Sequence, residues 1–384
     1  MTQETTRSGQ NNISGSTLFL AFELGTSDWK LAFSIGLGQK PRKRTMDAGN
    51  LERLQSEIAA AKKRFRLAET TPVLSCYEAG RYGFWLHRYL VQSGIENLVV
   101  DSSSIEVNRR KRRAKSDGLD ADSLLRLLIR YDSGERKVWS VVQAPSPEEE
   151  DRRQLHRELR TLKKEKTRTT NRIKGLLAGQ GIRLKAPLDI SDERLDGMRL
   201  WDGSGLRPGL KSRLKREWEQ VLFLKRQIAV LQAERRCALR KSEEPDMEKI
   251  RQLSMLRGIG ENGSWVFVRE FFGWRKFHNR REVGSLAGLT PTPYQSGRTM
   301  REQGVSKAGN RHVRGGAIEL AWCWVRWQPE SKLTRWFEAR FAKAGSRGRK
   351  VGIVAVARRL LIDLWRFLET GVLPEGAKLK AEVV

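Results

Sequence analysis

Four carboxylates and one serine are the residues whose types and spacing best suit chemistry on a phosphate ester. Glu23 closes an apolar run that reads as a strand, Glu78 closes a second, and Asp117 and Asp120 lie in KSDGLDADSLLRLL. A spacing of three on a helix sets Asp117 and Asp120 on one face. Carboxylates at the ends of neighbouring strands, joined by two from a helix, would supply the hard oxygen ligands of a two-magnesium phosphoryl-transfer site. The spacing leaves a plainer reading open. Acids near a helix start also favour the helix dipole, and Glu23 could be a turn acid.

Directly before the two aspartates runs NRRKRRAK, with Arg109, Arg110, Lys111, Arg112, Arg113 and Lys115. A charge run is commonly a solvated face, but beside an acidic metal site it would draw in a phosphodiester backbone. Gly258-Ile259-Gly260 has the look of a helix-hairpin-helix hinge, where Gly258 and Gly260 let backbone amides approach a phosphate without reading sequence. An ordinary glycine-containing turn between helices would have the same spacing. Ser296 stands in PTPYQSG, which reads as a Pro/Gly-rich turn, and such serines are usually structural. Arg298, Arg301, Lys307, Arg311 and Arg314 follow it closely, and such a cluster could hold a phosphate and favour an alkoxide. Arg311 and Arg314 share a face if their segment is helical. Trp322, Trp324, Trp327 and Trp336 read as core before they read as a base-stacking platform.

The elements that must position these residues are legible in outline. TLFLAFELGTSDWKLAF (17–33) reads as strand, turn and strand, and TPVLSCYE (71–78) and NLVVD (97–101) as short strands. Helical segments at 51–68 and 80–94 alternate with them, which suggests an α/β layer. Next, Leu155, Leu162, Thr169 and Leu176 recur at seven beside Leu159, Lys166 and Ile173. Leu214, Val221 and Ile228 do the same beside Leu224 and Leu231. Two such helices, joined through roughly 182–209, most simply form an antiparallel coiled-coil arm. From about 250 onward the pattern is globular and helical again.

Composition narrows the partners. The 384 residues carry 74 Lys and Arg against 45 Asp and Glu, a formal net charge of +29. Nucleic acid is the leading counterpart of so positive a chain, with an anionic membrane surface second. The best apolar stretch, 352–368, is interrupted by Arg358, Arg359, Asp363 and Arg366, so no membrane span is expected. The polar N-terminus reads as a flexible tail and not a signal peptide. Cys76, Cys237 and Cys323 stand too far apart for a disulfide framework or a zinc knuckle, as in a reducing cytosol.

Taken in order, these segments resemble the insertion-sequence one-ten transposases with their eleven-eleven subgroup, the DEDD recombinases, from about residue 17 to about 370. YEAGRYGFWL is similar to the family's glutamate-and-glycine strand end, and KSDGLDAD to its aspartate-containing helix motif. LRGIGENGSW, SLAGLTPTPYQSG and SKAGNRHVR are similar to segments of its C-terminal domain. The resemblance implies an α/β plus α fold: a RuvC-like (RNase H-fold) domain at 17–145 and coiled-coil helices at 146–250. A mostly helical C-terminal transposase domain with a helix-hairpin-helix-like element follows at 251–372, with tails at 1–16 and 373–384.

It also implies a mechanism. Glu23, Glu78, Asp117 and Asp120 would hold Mg2+, with Mn2+ as a substitute, and Ser296 would be the nucleophile of a covalent phosphoserine link to DNA. An element-encoded guide (bridge) RNA would pair with donor and target double-stranded DNA, and the protein would work as a homodimer or homotetramer. It would be cytoplasmic, nucleoid-associated when active, with no membrane partner. One departure stands out. The family's first acid is normally aspartate, and Glu23 adds a methylene, displacing the carboxylate by roughly 1.5 Å. Two other readings stay open: a hydrolytic RuvC-like nuclease in which Ser296 is structural, and a non-catalytic RNA- or DNA-binding relative.

Overall fold

The computed structural model describes residues 17–80, 83–105, 117–183, 189–296, 299–307 and 309–380; at 103, 117–120, 293–296 and 299–303 the description stops at the backbone. The chain divides into two compact units, Met1–Pro145 and Ser146–Val384.

In the first unit a five-stranded sheet runs in the order β3-β2-β1-β4-β5. Its strands are β1 (Leu18–Leu24), β2 (Asp28–Ser34), β3 (Arg42–Asp47), β4 (Val73–Glu78) and β5 (Glu96–Val100). β1 pairs antiparallel with β2 but parallel with β4, and the parallel step is made through α1 (Leu51–Arg64). Central β1 is apolar almost throughout because both its faces are covered. Leu18, Leu20 and Phe22 meet α1 and α2 (Trp85–Gln92) in one core, while Phe19 and Ala21 meet α3 (Asp117–Asp132) in another. The edge strand β3, sequence RKRTMD, lies outside the strands expected from the sequence. It is held by its ladder with β2 and by buried Arg42, whose Nη2 lies 2.5 Å from Glu57 Oε2 on α1.

The second unit opens with short α4 (Pro147–Asp151), capped by Ser146 and Glu149 in a reciprocal capping box. Two long helices follow, α5 (Gln154–Ala178) and α7 (Pro208–Lys241), with short α6 (Asp192–Gly197) between them. Arg172 of α5 pairs with Glu217 near the start of α7, and Lys163 senses the charge of Arg235 near its end, so the two run antiparallel. Their seam buries Leu159, Thr169 and Ile173 against Leu214, Val221, Leu224 and Ile228. The remaining elements are α8 (Pro245–Met255), α9 (Glu261–Phe267), α10 (Arg280–Leu286), a β6 (Pro291–Ser296) and β7 (Thr299–Val305) hairpin, α11 (Arg311–Trp327), α12 (Lys332–Phe341) and α13 (Gly345–Thr370). Their core joins Trp265, Phe271, Trp324, Phe337 and Leu364. Residues 373–380, assigned above to a tail, pack against this core. Leu379 bridges Leu256, and the Gln328 amide binds the carbonyls of Arg257 and Lys378. Gly371 and Gly376 permit that return because each takes a positive φ, at 73° and 75°. No helix among the described residues is long and apolar enough to cross a membrane.

Candidate active site

Glu23 and Glu78 occupy equivalent places at the carboxyl ends of adjacent parallel strands. The β1–β4 register aligns Phe22 with Tyr77, which sets the next residues of the two strands level. By strand alternation Glu23 shares the face of Phe19 and Ala21, and Glu78 that of Leu74 and Cys76. Those four residues form the core beneath α3. Glu78 is exposed, whereas Glu23 is half-buried with its Oε2 out of solvent and Lys30 opposite it on β2. Asp117 and Asp120 belong to the first turn of α3, about two turns and one turn before Leu124, whose carbonyl lies 4.0 Å from Cys76 Sγ. The fold therefore brings all four expected acids to elements that meet on one sheet face. The side chains of Asp117 and Asp120 lie outside the described residues, and among the described residues no three acids, histidines or cysteines gather as a metal site. The donor chemistry of the level Glu23–Glu78 pair suits magnesium, which takes carboxylate oxygens and few other protein ligands. A third carboxylate on α3, Asp122, is buried and committed to Lys43.

Arg109, Arg110, Lys111, Arg112, Arg113 and Lys115 lie outside the described residues, as does Arg298. Ser296 is the last residue of β6 and pairs with Thr299, so the segment expected as a turn is a strand. β6 tolerates Pro291 and Pro293 because its sheet has only two strands, leaving one edge of β6 unladdered. The basic residues that follow Ser296 divide along this hairpin. Its base is the Pro291–Val305 pair, about 17 Å of strand from Ser296. Lys307, Arg311 and Arg314 stand beyond that base, not beside the serine. Arg311 and Arg314 both fall in the first turn of α11, and Arg314 Nη1 donates to the Lys307 carbonyl at 2.7 Å.

Gly258 and Gly260 form the turn between α8 and α9, as their spacing predicts, and the turn has a packing reason. Gly258 has φ 87°, and a Cβ there would stand 3.0 Å from Trp327 Cβ. Gly260 caps α9 and faces open space. Of the four tryptophans, Trp324 is core, while Trp322 and Trp327 are 42% and 45% exposed and so extend beyond it.

A buried polar cluster escaped the sequence reading. A π-helical turn, Val268–Phe272, carries Glu270 inward from α9. Its carboxylate accepts two bonds from Arg157, at 2.7 and 2.8 Å, and one from the Asn310 amide at 3.1 Å, with His156 Nε2 2.8 Å away. Burial alone would raise the Glu270 pKa. The bonds from His156 and Arg157, with their charges, outweigh it and hold the carboxyl far below the usual range. Next to it, burial lowers the pKa of His312, reinforced by Arg160, Arg157 and Arg311 against the pull of Glu270. Asn310 also caps α11, so one cluster ties the base of α5 to the helix that follows the serine hairpin. The signal available in the sequence was a lone acid inside the apolar run VFVREFF.

A strongly basic two-unit chain whose sheet carries level acids at its strand ends suits a nucleic-acid partner. Comparison with known proteins narrows this reading. The model of the family described as Transposase IS116/IS110/IS902 matches residues 250–334, a span that includes Gly258, Gly260 and Ser296. Over 375 residues, 94% of each chain, the protein is 39% identical to one of Sinorhizobium fredii called "Putative transposase y4rJ". It is 23% identical over 256 residues, 66% of each chain, to the transposase for insertion sequence element IS1111A of Coxiella burnetii. A transposase for element IS1328 of Yersinia enterocolitica is 21% identical over 301 residues, 78% of this chain and 84% of its own. The chain belongs to the IS116/IS110/IS902 family of transposases.

Proposed function

We propose that this transposase cuts and rejoins DNA through a phosphoserine formed at Ser296, under the guidance of an element-encoded RNA. Glu23, Glu78, Asp117 and Asp120 would hold magnesium, which would offset charge on the scissile phosphate. The observation that carries this reading is the level pair Glu23 and Glu78 on the sheet face covered by α3. Ser296 Oγ attacks phosphorus, the P–O3′ bond breaks, and the departing oxygen leaves as a 3′-hydroxyl. The bond energy stays in the phosphoserine ester, so the reverse attack by a new 3′-hydroxyl rejoins DNA without a further energy source. The acids and the serine belong to different compact units, which suits a composite site assembled in a dimer or tetramer, with α5 and α7 as its coiled-coil arm.

One observation favours a second reading, in which water replaces the serine: Lys307, Arg311 and Arg314 stand at the far end of the hairpin from Ser296. The two readings separate on a denaturing gel. With magnesium, guide RNA and target DNA, the first expects a covalent protein–DNA adduct that disappears in Ser296→Ala. Normal cutting and rejoining by that variant would overturn serine chemistry.

A further inference from the structure

We infer that a cavity between α12 and α13, walled by Trp336 and edged by Arg280, Arg359 and Arg366, receives an unstacked base and its phosphate from a single-stranded nucleic acid. The cavity measures about 830 Å³, within the range of sites that hold a nucleotide-sized ligand. Its aromatic wall is already engaged as a stacking surface. The Arg359 guanidinium lies 3.9 Å from the Trp336 ring centroid, and an aromatic face with an arginine beside it is how sequence-tolerant proteins hold bases.

The charges sort into committed and available ones. Lys332 is held by Glu375 at 2.6 Å, and Arg366 lies 4.0 Å from Asp363. Among the described residues neither Arg280 nor Arg359 forms an ion pair; Arg359 is engaged on the Trp336 ring, and Arg280 is exposed at the rim, where its guanidinium can meet a phosphate oxygen. Asp363 is half-buried in the wall and offers the polar group that reads a base edge. Burial raises its pKa against the pull of Arg366, Arg359 and Lys332, so it keeps its proton to a higher pH than an open carboxyl does. Val372 and Leu373, 69% and 39% exposed, complete an apolar lip where a sugar would rest. A base inside a duplex stays stacked and cannot enter such a hollow, which selects single strands.

The inference rests on the proposed nucleic-acid function but uses neither the serine nor the metal, so the two fail separately. The test measures binding of a labelled single-stranded oligonucleotide and of duplex DNA to the full chain at fixed salt, for wild type and for Arg280→Ala, Arg359→Ala and Trp336→Ala. Trp336 also packs on Phe341, 5.7 Å between centroids, so the two arginine variants carry the test if Trp336→Ala melts early. Loss of about 10-fold in single-strand affinity, with duplex affinity unchanged, is expected. Folded arginine variants that bind single strands like wild type overturn the pocket, and so does an equal loss on duplex. A mononucleotide that competes as well as the oligonucleotide would make this a small-ligand site and overturn polymer binding. Wild type that binds neither nucleic acid overturns the proposed function itself.

Discussion

Glu270 shows how a single residue can hold several elements in register. Its carboxylate is fully buried yet saturated by Arg157, His156 and Asn310, which come from α5 and the cap of α11. Glu270→Gln would leave the Arg157 charge without its partner. Breaking a buried pair in this way costs about 3 kcal/mol, the lower end applying because Arg157 reaches solvent. Because the folded carboxyl is held below its unfolded value of about 4.3, the stabilisation is fully present above that pH. It fades as pH falls through and below it. Denaturant melts should therefore show a stability gap between wild type and Glu270→Gln that narrows as pH falls below about 4.3. The acid at position 23 calls for a different measurement. If Glu23 is a ligand, Glu23→Gln should lose metal-dependent cleavage by at least about 100-fold, since even residues behind the ligands cost 10–100-fold. Glu23→Asp should retain or raise it. Unchanged cleavage in Glu23→Gln would leave the carboxylate to its neighbour Lys30.

At the scale of elements, the join between α10 and α11 is the most constrained piece of backbone near the serine hairpin. Gly309 has φ 81°, and a Cβ there would stand 2.1 Å from the Leu286 carbonyl oxygen that accepts from Asn310 N. Gly309→Ala therefore carries both a left-handed penalty of about 1–2 kcal/mol and a clash that the backbone must yield to. A cost of roughly 3 kcal/mol in a unit of this size would lower Tm by roughly 6–12 °C. Gly315, four residues into α11 with open space about it, gives the control. Gly315→Ala should be stabilising by about 0.5–1 kcal/mol. If both variants melt alike, the junction is not constrained as described. Elements of this kind also mark where sequence was readable. β1 and β4 announced themselves because local apolar runs carry a strand buried on two faces, and α5 and α7 because a seam repeats every seven residues. β3 did not, since RKRTMD buries only Arg42 and Met46 and takes its conformation from β2 and from Glu57, both distant in sequence. β6 was hidden by its prolines, so Ser296 read as a turn residue. Its basic neighbours read as a cluster because nearness in sequence does not reveal the length of a hairpin. The places of the four acids in the fold were legible for the opposite reason: each sits at the end or beginning of a strongly patterned element.

For the whole molecule, the charge of +29 and the few acids serve different ends, and salt separates them. Phosphate contacts release counterions, so the logarithm of affinity falls with the logarithm of salt by about 0.9 for each phosphate neutralised on duplex DNA. A protein engaging 6–10 phosphates would lose about 10³–10⁵ in affinity between about 50 and 200 mM salt. Replacing Arg109, Arg110, Lys111, Arg112, Arg113 and Lys115 with glutamine should flatten that slope by up to about 0.9 for each side chain that meets a phosphate. It should weaken binding to all duplexes alike. Asp117→Asn, in the proposed acidic site, should leave the slope as it is while abolishing cleavage. A slope unchanged by the six substitutions would remove the run from the DNA path and return it to the role of a solvated face. The charge needed to hold duplex DNA would then lie in the second unit, around Arg311 and Arg314, with the cavity of α12 and α13 kept for single strands. In that case Arg280→Ala and Arg359→Ala should lower the slope for single strands, while the slope for duplexes stays the same.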